Sequence, residues 1–474
     1  MPFVLRLTTH FLVATFALAL NVVASLPTRV EAQTTTVAVR LYEQGKVNEA
    51  EHAFAAALSA AEKGDSPNEL WETLIGYAWF LDEIGEHRRA IELSNKALGI
   101  AAQSENKFMI GRSLSWLGWA YTGLGLYELA LDFYRNAVDV AAPGGKIEIV
   151  NVWGLSTQEI GALHYKMGRT KEGRPYLEKA LSVARELKVG PGIAEGAAHL
   201  AELSLTEGRY EEAESLAREA FSAGEKCEDG CTPYNTVHAR VILAKVLFER
   251  AKLDPNRMAD AQRAIRETLA AAEKAGLKRC VAESKLLLAR SLPPPDFETR
   301  YALVTDAFDI LATMESELRG TAESELGKLF LDNGETKLAE FYLKNGYRVN
   351  KELFRRIDNA FITSDEAVVS ALNGDSQRSV KQLRKAFREA VDTKNLPAAT
   401  EIAQKLSGTY LELGYATLAL NTAKKGLQLL DELSQRTKDD AVLASYRARR
   451  ADLSATFGEA SLRVDSGAEG GAPV

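Results

Sequence analysis

The segment LSWLGWAYTGLGLYELALDFYRNA, residues 114–137, carries two apolar helical patterns separated by Gly125. Apolar residues recur at helical spacing before the glycine at Leu114, Leu117 and Tyr121, and after it at Tyr127, Ala130, Tyr134 and Ala137. Gly118 and Ala130 are small enough for two helices to approach closely, while the rings of Tyr121 and Tyr134 fill the space between neighbouring helices. The segment therefore predicts an antiparallel helix pair joined by a tight turn.

The same pattern repeats along the chain. A turn glycine is followed five and twelve residues later by small residues, and the glycines are Gly45, Gly85, Gly125, Gly168, Gly208, Gly334, Gly374 and Gly414. Their separations are 40, 40, 43 and 40 residues in the first block and 40 and 40 in the last. Between the blocks, Ala251 and Pro294 mark two degenerate units around residues 235–315. We therefore predict about ten stacked helix pairs over residues 33–434.

This pattern of Leu-Gly, Tyr, small, aromatic and small positions resembles the tetratricopeptide repeat family. The resemblance implies an all-α fold, a right-handed α-solenoid of antiparallel helix pairs. The family's unit has 34 residues, so units of about 40 imply longer helices or loops. Long units of this kind are similar to those of kinesin light chains and bacterial sensor proteins. Residues 435–464 then form a C-terminal capping helix, and residues 465–474 a disordered tail.

The N-terminus has the features of a secretory signal peptide over residues 1–32. Arg6 precedes an apolar stretch, and small residues favour cleavage after Ala32, with Ala24 as the alternative. The apolar stretch of about 13 residues is shorter than the ~20 that a spanning helix needs, so a retained anchor is the less favoured interpretation. We expect an exported protein, periplasmic or secreted, with no membrane span in the mature chain.

Composition and motifs favour binding over catalysis. The 58 basic and 65 acidic residues give a net charge of −7, which disfavours affinity for nucleic-acid phosphates. Motifs typical of metalloproteases, serine hydrolases and nucleotide-binding enzymes are absent from the sequence. The histidines are scattered over different units, which disfavours a metal site. We therefore expect a non-enzymatic protein without cofactor or metal.

Two of the three cysteines, Cys227 and Cys231, lie close together in the connection between the fifth and sixth units. In an oxidising compartment this spacing favours a disulfide across the loop. A pair of free thiols and half of a metal site are the alternatives. Cys280 falls within a helical pattern and is expected to be a small buried apolar residue.

The resemblance also implies that the first helix of each unit lines a concave groove. Trp79 and Trp119 then share one groove-facing position, with Tyr42 and Tyr165 one helical turn later and Arg112 and Gln158 offering polar contacts. Trp71, Trp116 and Trp153 are more simply packing residues. The leading hypothesis is a scaffold that binds a protein or peptide partner in this groove, because aromatic side chains dominate binding hot spots. The alternative is a carbohydrate or envelope-polymer binding module that uses the same tryptophans.

Overall fold

The computed structural model describes residues 31–141, 147–227, 232–314 and 316–467. Within these ranges the chain forms 21 α-helices and no β-strand, which confirms the predicted all-α class. Units one to five comprise α1 (Glu31–Glu43) and α2 (Val47–Ala61), α3 (Pro67–Glu83) and α4 (His87–Ser104), α5 (Lys107–Gly123) and α6 (Tyr127–Val140), α7 (Ile147–Lys166) and α8 (Thr170–Leu187), α9 (Gly190–Thr206) and α10 (Tyr210–Glu225). Units six to ten comprise α11 (Pro233–Ala251) and α12 (Met258–Lys274), α13 (Lys278–Ser291) and α14 (Phe297–Thr313), α15 (Arg319–Asp332) and α16 (Thr336–Glu352), α17 (Asn359–Leu372) and α18 (Ser376–Asp392), α19 (Leu396–Glu412) and α20 (Ala416–Ser434), and the chain then enters α21 (Asp440–Asp465).

The turn inside each regular unit depends on a left-handed backbone. All eight predicted turn glycines have φ between +74° and +88°. In unit three the amide of Leu126 donates to the carbonyl of Tyr121 at 2.9 Å, and that of Gly125 donates to Thr122 at 2.9 Å. This pair of bonds is a Schellman motif, which satisfies the last carbonyls of a helix and needs a residue that tolerates positive φ. The glycine periodicity therefore marks the helix ends.

The two degenerate units use other chemistry at the same place. In unit seven α13 ends at Ser291 and α14 begins at Phe297, so the three prolines at 293–295, which cannot continue a helix, form the connection. In unit six a short 3₁₀ turn over Pro255–Arg257 leads from α11 to α12. Ten helix pairs are therefore present although only eight have the glycine.

Close packing within a unit rests on the small residues. The second-helix alanines of units one to three are buried, namely Ala50, Ala57, Ala90, Ala97, Ala130 and Ala137. A Cβ atom on Gly118 would lie 2.6 Å from Cε1 of Tyr134. Gly118 thus leaves room for the Tyr134 ring, which is fully buried. This is a more specific role than the helix-to-helix approach predicted from the sequence.

The solenoid also folds back on itself, which the sequence did not predict. The turns of the first five units pack against the junctions that follow units six to ten: a Cβ on Gly85 would meet Met314, on Gly125 Leu353, on Gly168 Thr393 and on Gly208 Leu433, while one on Gly45 would meet the carbonyl of Lys274. The turn of unit one thus lies against the end of unit six, the turn of unit two against the end of unit seven, and so on to units five and ten. One superhelical turn therefore takes between five and six units, and two coils lie in contact.

Polar contacts join the two coils at the same edge. The Glu317 amide donates to the Gly123 carbonyl at 3.3 Å, and the Arg356 amide donates to the Lys166 carbonyl at 3.1 Å. The Glu317 carboxylate is fully buried and accepts from Lys166 at 3.3 Å and from Arg279 at 2.7 Å. Since two cations hold it, the desolvated charge is compensated rather than stranded.

Helix α21 packs on α19 and α20 and buries Val442, Tyr446, Leu453 and Ala460. The segment leading into it is bonded to the first coil, because Glu211 accepts from the Lys438 amide at 2.8 Å and Arg250 pairs with Asp439. Residues 1–30 of the predicted leader and 468–474 of the predicted tail lie outside the described residues. In the part that is described, no helix is both long and apolar enough to cross a membrane.

We predict that Gly168→Ala destabilises the chain more than Gly374→Ala. Both positions have nearly the same φ, +76° and +80°, so both variants carry the cost of alanine in the left-handed region, about 1 kcal/mol. At residue 168 the new Cβ lies 2.6 Å from Cγ2 of buried Thr393 in the other coil, whereas at residue 374 it meets nothing within 4 Å. The overpacking adds roughly 1–3 kcal/mol to the loss. Urea unfolding followed by circular dichroism measures both, and equal losses would show that the coils do not pack in solution.

Candidate functional site

Closing the superhelix encloses a cavity of about 720 Å³ on its concave side, hereafter the central cavity. The first helices of units two to ten supply most of its wall. Its charged and aromatic lining includes Glu83, Trp116, Trp119, Glu159, Tyr165, Lys166, Glu195, His199, Glu202, His238, Lys245, Arg279, Glu325, Lys328, Asp365 and Lys405. Second helices add only a few lining residues, among them His87 and Arg300, and the side chains that converge inside come from helices distant in sequence.

Most charges in the central cavity are paired. Burial by itself would raise the pKa of Glu202, but Lys245 donates to it at 2.7 Å and lowers that pKa to about 2. Glu325 accepts from Arg290 at 2.5 Å. The wall is thus a set of compensated ion pairs, whose directions are fixed by the helices that hold them.

Glu83 and Glu195 are different, because their hydrogen-bond partners are neutral groups. Burial raises the pKa of Glu195 to about 8, with Glu159 adding to the rise. Its carboxyl contacts the amide nitrogens of Gln158, at 3.4 Å, and Asn235. Burial likewise raises the pKa of Glu83 to about 8, although it accepts from the Tyr42 hydroxyl at 2.8 Å. Both carboxyls therefore hold a proton near neutral pH.

Two histidines lie beside these carboxyls. His199 Nε2 is 3.7 Å from Glu159, and although burial disfavours the imidazolium, this carboxylate raises the pKa of His199. Burial, with His199 nearby, lowers the pKa of His238 to about 3, so His238 is neutral. Among the described residues, no group of three or more His, Cys, Asp or Glu side chains is placed to hold a metal ion.

The structure places Trp119 and Tyr165 on the wall of the central cavity. Trp119 is half-buried and packs edge-on against Trp116, with ring centroids 4.4 Å apart. The Tyr165 hydroxyl accepts from Thr206 at 3.3 Å. Trp79 is also half-buried, and its indole nitrogen donates to Glu83 at 3.2 Å.

The other predicted contact residues support this wall from behind. Tyr42 is 1% exposed and packs edge-on against Trp79, while Gln158 is 2% exposed and reaches Glu195. Arg112 lies over the Trp116 ring at 5.1 Å, and burial lowers the pKa of its guanidinium to about 10. Trp71, Trp116 and Trp153 are buried, as expected of packing residues, and Trp116 also lines the central cavity.

Sequence reasoning missed Glu83 and Glu195. Glu83 lies one helical turn beyond Trp79, on the same face of α3, so its position was readable from the helical spacing. What the spacing could not show is that closure of the superhelix buries Glu195 and limits the access of water to Glu83. The predicted disulfide between Cys227 and Cys231 involves a residue outside the described ranges and stays a prediction, whereas Cys280 is buried as expected.

A superhelix of ten stacked helix pairs around one central cavity defines the chain as an α-solenoid. Two tetratricopeptide repeat family models match it, at residues 111–142 and 154–226. These two stretches match tetratricopeptide repeats, the family that the sequence pattern predicted.

Solved structures with similar architecture have low sequence identity. A Rap protein complexed with competence and sporulation factor is 13% identical, with 86% of this chain and 100% of that chain covered and a TM-score of 0.43. The human IFIT1 dimer with PPP-AAAA is 14% identical over 93% of this chain and 96% of that one, with a TM-score of 0.44. BtubC from P. vanneervenii is 20% identical over 45% of this chain and 87% of that one, with a TM-score of 0.34. Among curated proteins no sequence match is found.

We predict that Glu195→Gln makes stability less dependent on pH. The folded carboxyl has a pKa of about 8 against a usual 4.5, so between these values the unfolded chain releases a proton that the folded chain keeps. The contribution is fully present below pH 4.5, and stability falls as pH rises towards 8, by up to about 1.4 kcal/mol for each unit of the difference. Glutamine cannot ionise, so the variant should lose less stability over this range.

Urea unfolding at pH 5 and pH 8 measures the difference. Glu172→Gln on the exposed face of α8 is the matched control and should follow the wild-type profile. If Glu195→Gln also runs parallel to wild type, Glu195 is ionised in the folded chain.

Proposed function

We propose that this chain binds an extended peptide segment of a protein partner inside the central cavity. The observation that carries the proposal is the cavity itself: about 720 Å³, with aromatic and charged side chains from nine consecutive units directed into one space. Ligand sites in proteins typically measure about 300–1,000 Å³. An extended peptide has a hydrogen-bond donor and acceptor at nearly every residue, which suits a wall of polar and charged side chains from nine units.

Preorganisation supports binding by this wall. The ion pairs between first helices, such as Lys245 with Glu202 and Arg290 with Glu325, fix long side chains before any partner arrives. Side chains that are already ordered lose little conformational entropy on binding, and the saving appears as affinity. Because the contact between coils holds the wall, a partner need not assemble it.

The charge of the wall favours a peptide over a nucleic acid. Twelve Asp and Glu side chains line the central cavity against nine lysine and arginine side chains, and with Glu83 and Glu195 protonated the wall still has no excess of cations. Phosphate binding requires an excess of cations, because its affinity comes from neutralising the backbone. We also propose that the role is binding rather than catalysis, since the chain carries none of the catalytic motifs considered above.

Carbohydrate binding is the alternative, and the tryptophans support it less than peptide binding. Trp119 stands at 75° to Trp116, and Trp79 at 80° to Tyr42, so neighbouring rings do not form one flat platform. Both rings are half-buried. Such rings suit contact with side chains of a partner better than stacking on successive sugars.

We predict that Trp119→Ala abolishes peptide capture while the helical circular dichroism is retained. A displayed library of random peptides is selected against the full chain, and affinities of the enriched peptides are compared. Loss of a half-buried aromatic contact costs about 2 kcal/mol or more at a hot spot. Phe341→Ala is the control, because Phe341 is 57% exposed on α16, a second helix outside the cavity.

Two outcomes would overturn the peptide proposal. One is a library from which nothing is enriched; the other is enriched peptides that bind Trp119→Ala as tightly as wild type. Retention of the wild-type chain on a polysaccharide column, lost in Trp119→Ala, would support the carbohydrate alternative instead.

We further propose that the protein is exported, on the strength of the signal-like residues 1–32. We predict that N-terminal sequencing of the mature protein from its native cells begins at Gln33, or at Ser25 if cleavage follows Ala24. Either cut leaves Thr35, whose side chain packs beside Gly76 of α3, and the cut after Ala32 removes only the first two residues of α1. A mature chain that begins at or near Met1 would contradict export by this route.

A further inference from the structure

Three carboxyl groups line one part of the central cavity, from three of the first helices. They are Glu83 on α3, Glu159 on α7 and Glu195 on α9, and the side chain of Trp119 on α5 lies on the same wall. Glu159 and Glu195 are each 6% exposed. Glu195 is close enough for both other carboxyls to raise its pKa.

Two of these carboxyls differ from nearly all others in the central cavity. Glu202, Glu325, Glu401 and Glu249 each have a lysine or arginine nitrogen within 4 Å. Among the described residues, neither Glu83 nor Glu195 has such an ion pair; their partners are hydroxyl, indole and amide groups. Burying a carboxyl without a cation costs free energy, and here the group keeps its proton instead. A cation supplied from outside would remove that cost.

A second observation points to the same place. Trp116 is 5% exposed and lines the cavity, and its indole Nε1 has no hydrogen-bond acceptor among the described residues. A buried donor left without an acceptor is costly, and a ligand carbonyl would satisfy it. The half-buried ring of Trp119 beside it can also attract a cation through its π face.

We propose that this part of the central cavity is a subsite for a basic side chain of the bound peptide, with Glu195 and Glu83 pairing its cation and Trp116 donating to a neighbouring carbonyl. The inference rests on the proposed function and adds the chemistry of the ligand. A guanidinium fits best, because it presents several donors in a plane to more than one carboxylate. The peptide expected here has a basic residue at this position, and a nearby main-chain carbonyl accepts from Trp116.

Binding is coupled to release of a proton. Glu195 and Glu83 must ionise to pair with the cation, so affinity rises with pH. The titratable and charged groups that face them from the packed helices are Tyr42 on α1, Asp82 on α3, Arg112 on α5, Tyr134 on α6, Glu159 on α7, His199 on α9, Tyr234 and His238 on α11, and Cys280 on α13. His238 is neutral throughout this range, whereas His199, whose pKa Glu159 raises, loses its positive charge as the pH rises and so adds to the gain in affinity from the carboxyls.

The test uses two probes of nearly identical shape, N-acetyl-arginine amide and N-acetyl-citrulline amide, which differ in the guanidinium charge. Calorimetry with the full chain at pH 8.5 should show the arginine probe binding at least ten-fold more tightly, as expected for a charge-assisted hydrogen bond. Glu195→Gln and Glu83→Gln should each lose this preference. Glu172→Gln, on the outside of α8, should keep it.

At pH 7, where the free chain keeps these protons, the wild-type chain should also release a proton on binding, seen as a heat that depends on the ionisation enthalpy of the buffer. Equal affinity for the two probes, no binding of either, or a preference that survives in Glu195→Gln would overturn the subsite. Neither probe requires a partner protein, so this result is independent of the library selection that tests peptide binding. Peptides that are enriched without a basic residue would leave the proposed function intact and reject the subsite.

Discussion

The contact between the two coils is the constraint on which the rest of this structure depends. A solenoid of helix pairs needs contact only between successive units. Here the turns of units one to five also pack against the ends of units six to ten. Glycine makes this possible at two levels. Its positive φ closes the turn, and its missing side chain leaves the space that Thr393 or Leu433 occupies. Without that approach the concave side would be an open groove, and its side chains would face water.

Closure explains the electrostatics of the interior. An exposed glutamate keeps its charge by hydration, but a glutamate inside the superhelix must find a cation or keep its proton. Glu317 and Glu202 follow the first course, with pKa values of about 2, and Glu83 and Glu195 follow the second, with values of about 8. These four residues have the same side chain, so the difference comes from their neighbours. The carboxylates paired with cations hold helices together, whereas among the described residues the protonated carboxyls have no lysine or arginine partner.

The sequence was sufficient for the repeating elements but not for their long-range arrangement. Gly125 and its seven counterparts marked the turns, and the three prolines at 293–295 marked an irregular one, because local backbone geometry restricts which residues can stand there. The coil contact depends on small rotations summed over five units, and no local pattern encodes that sum. For this reason Tyr42 and Gln158, predicted to touch a partner, instead support Glu83 and Glu195 from behind. Trp119 lies on the cavity wall, as predicted for a first helix that faces inward, and its contact with a partner stays a prediction.

The turn glycines are required for two different reasons, a positive φ at every turn and, at some turns, the lack of space for a side chain. Gly334 and Gly374 have the same positive φ as Gly125 and Gly168, but a Cβ atom on either would meet nothing within 4 Å. At these later turns the backbone conformation alone accounts for glycine, whereas in the first coil the approach of the second coil also excludes a side chain. The spacing of the glycines therefore predicts the helix pairs, whereas the contact between coils is visible only in the atoms that surround each glycine. The same distinction applies to the carboxyls of the interior, since their positions follow from helical spacing and their ionisation follows from closure.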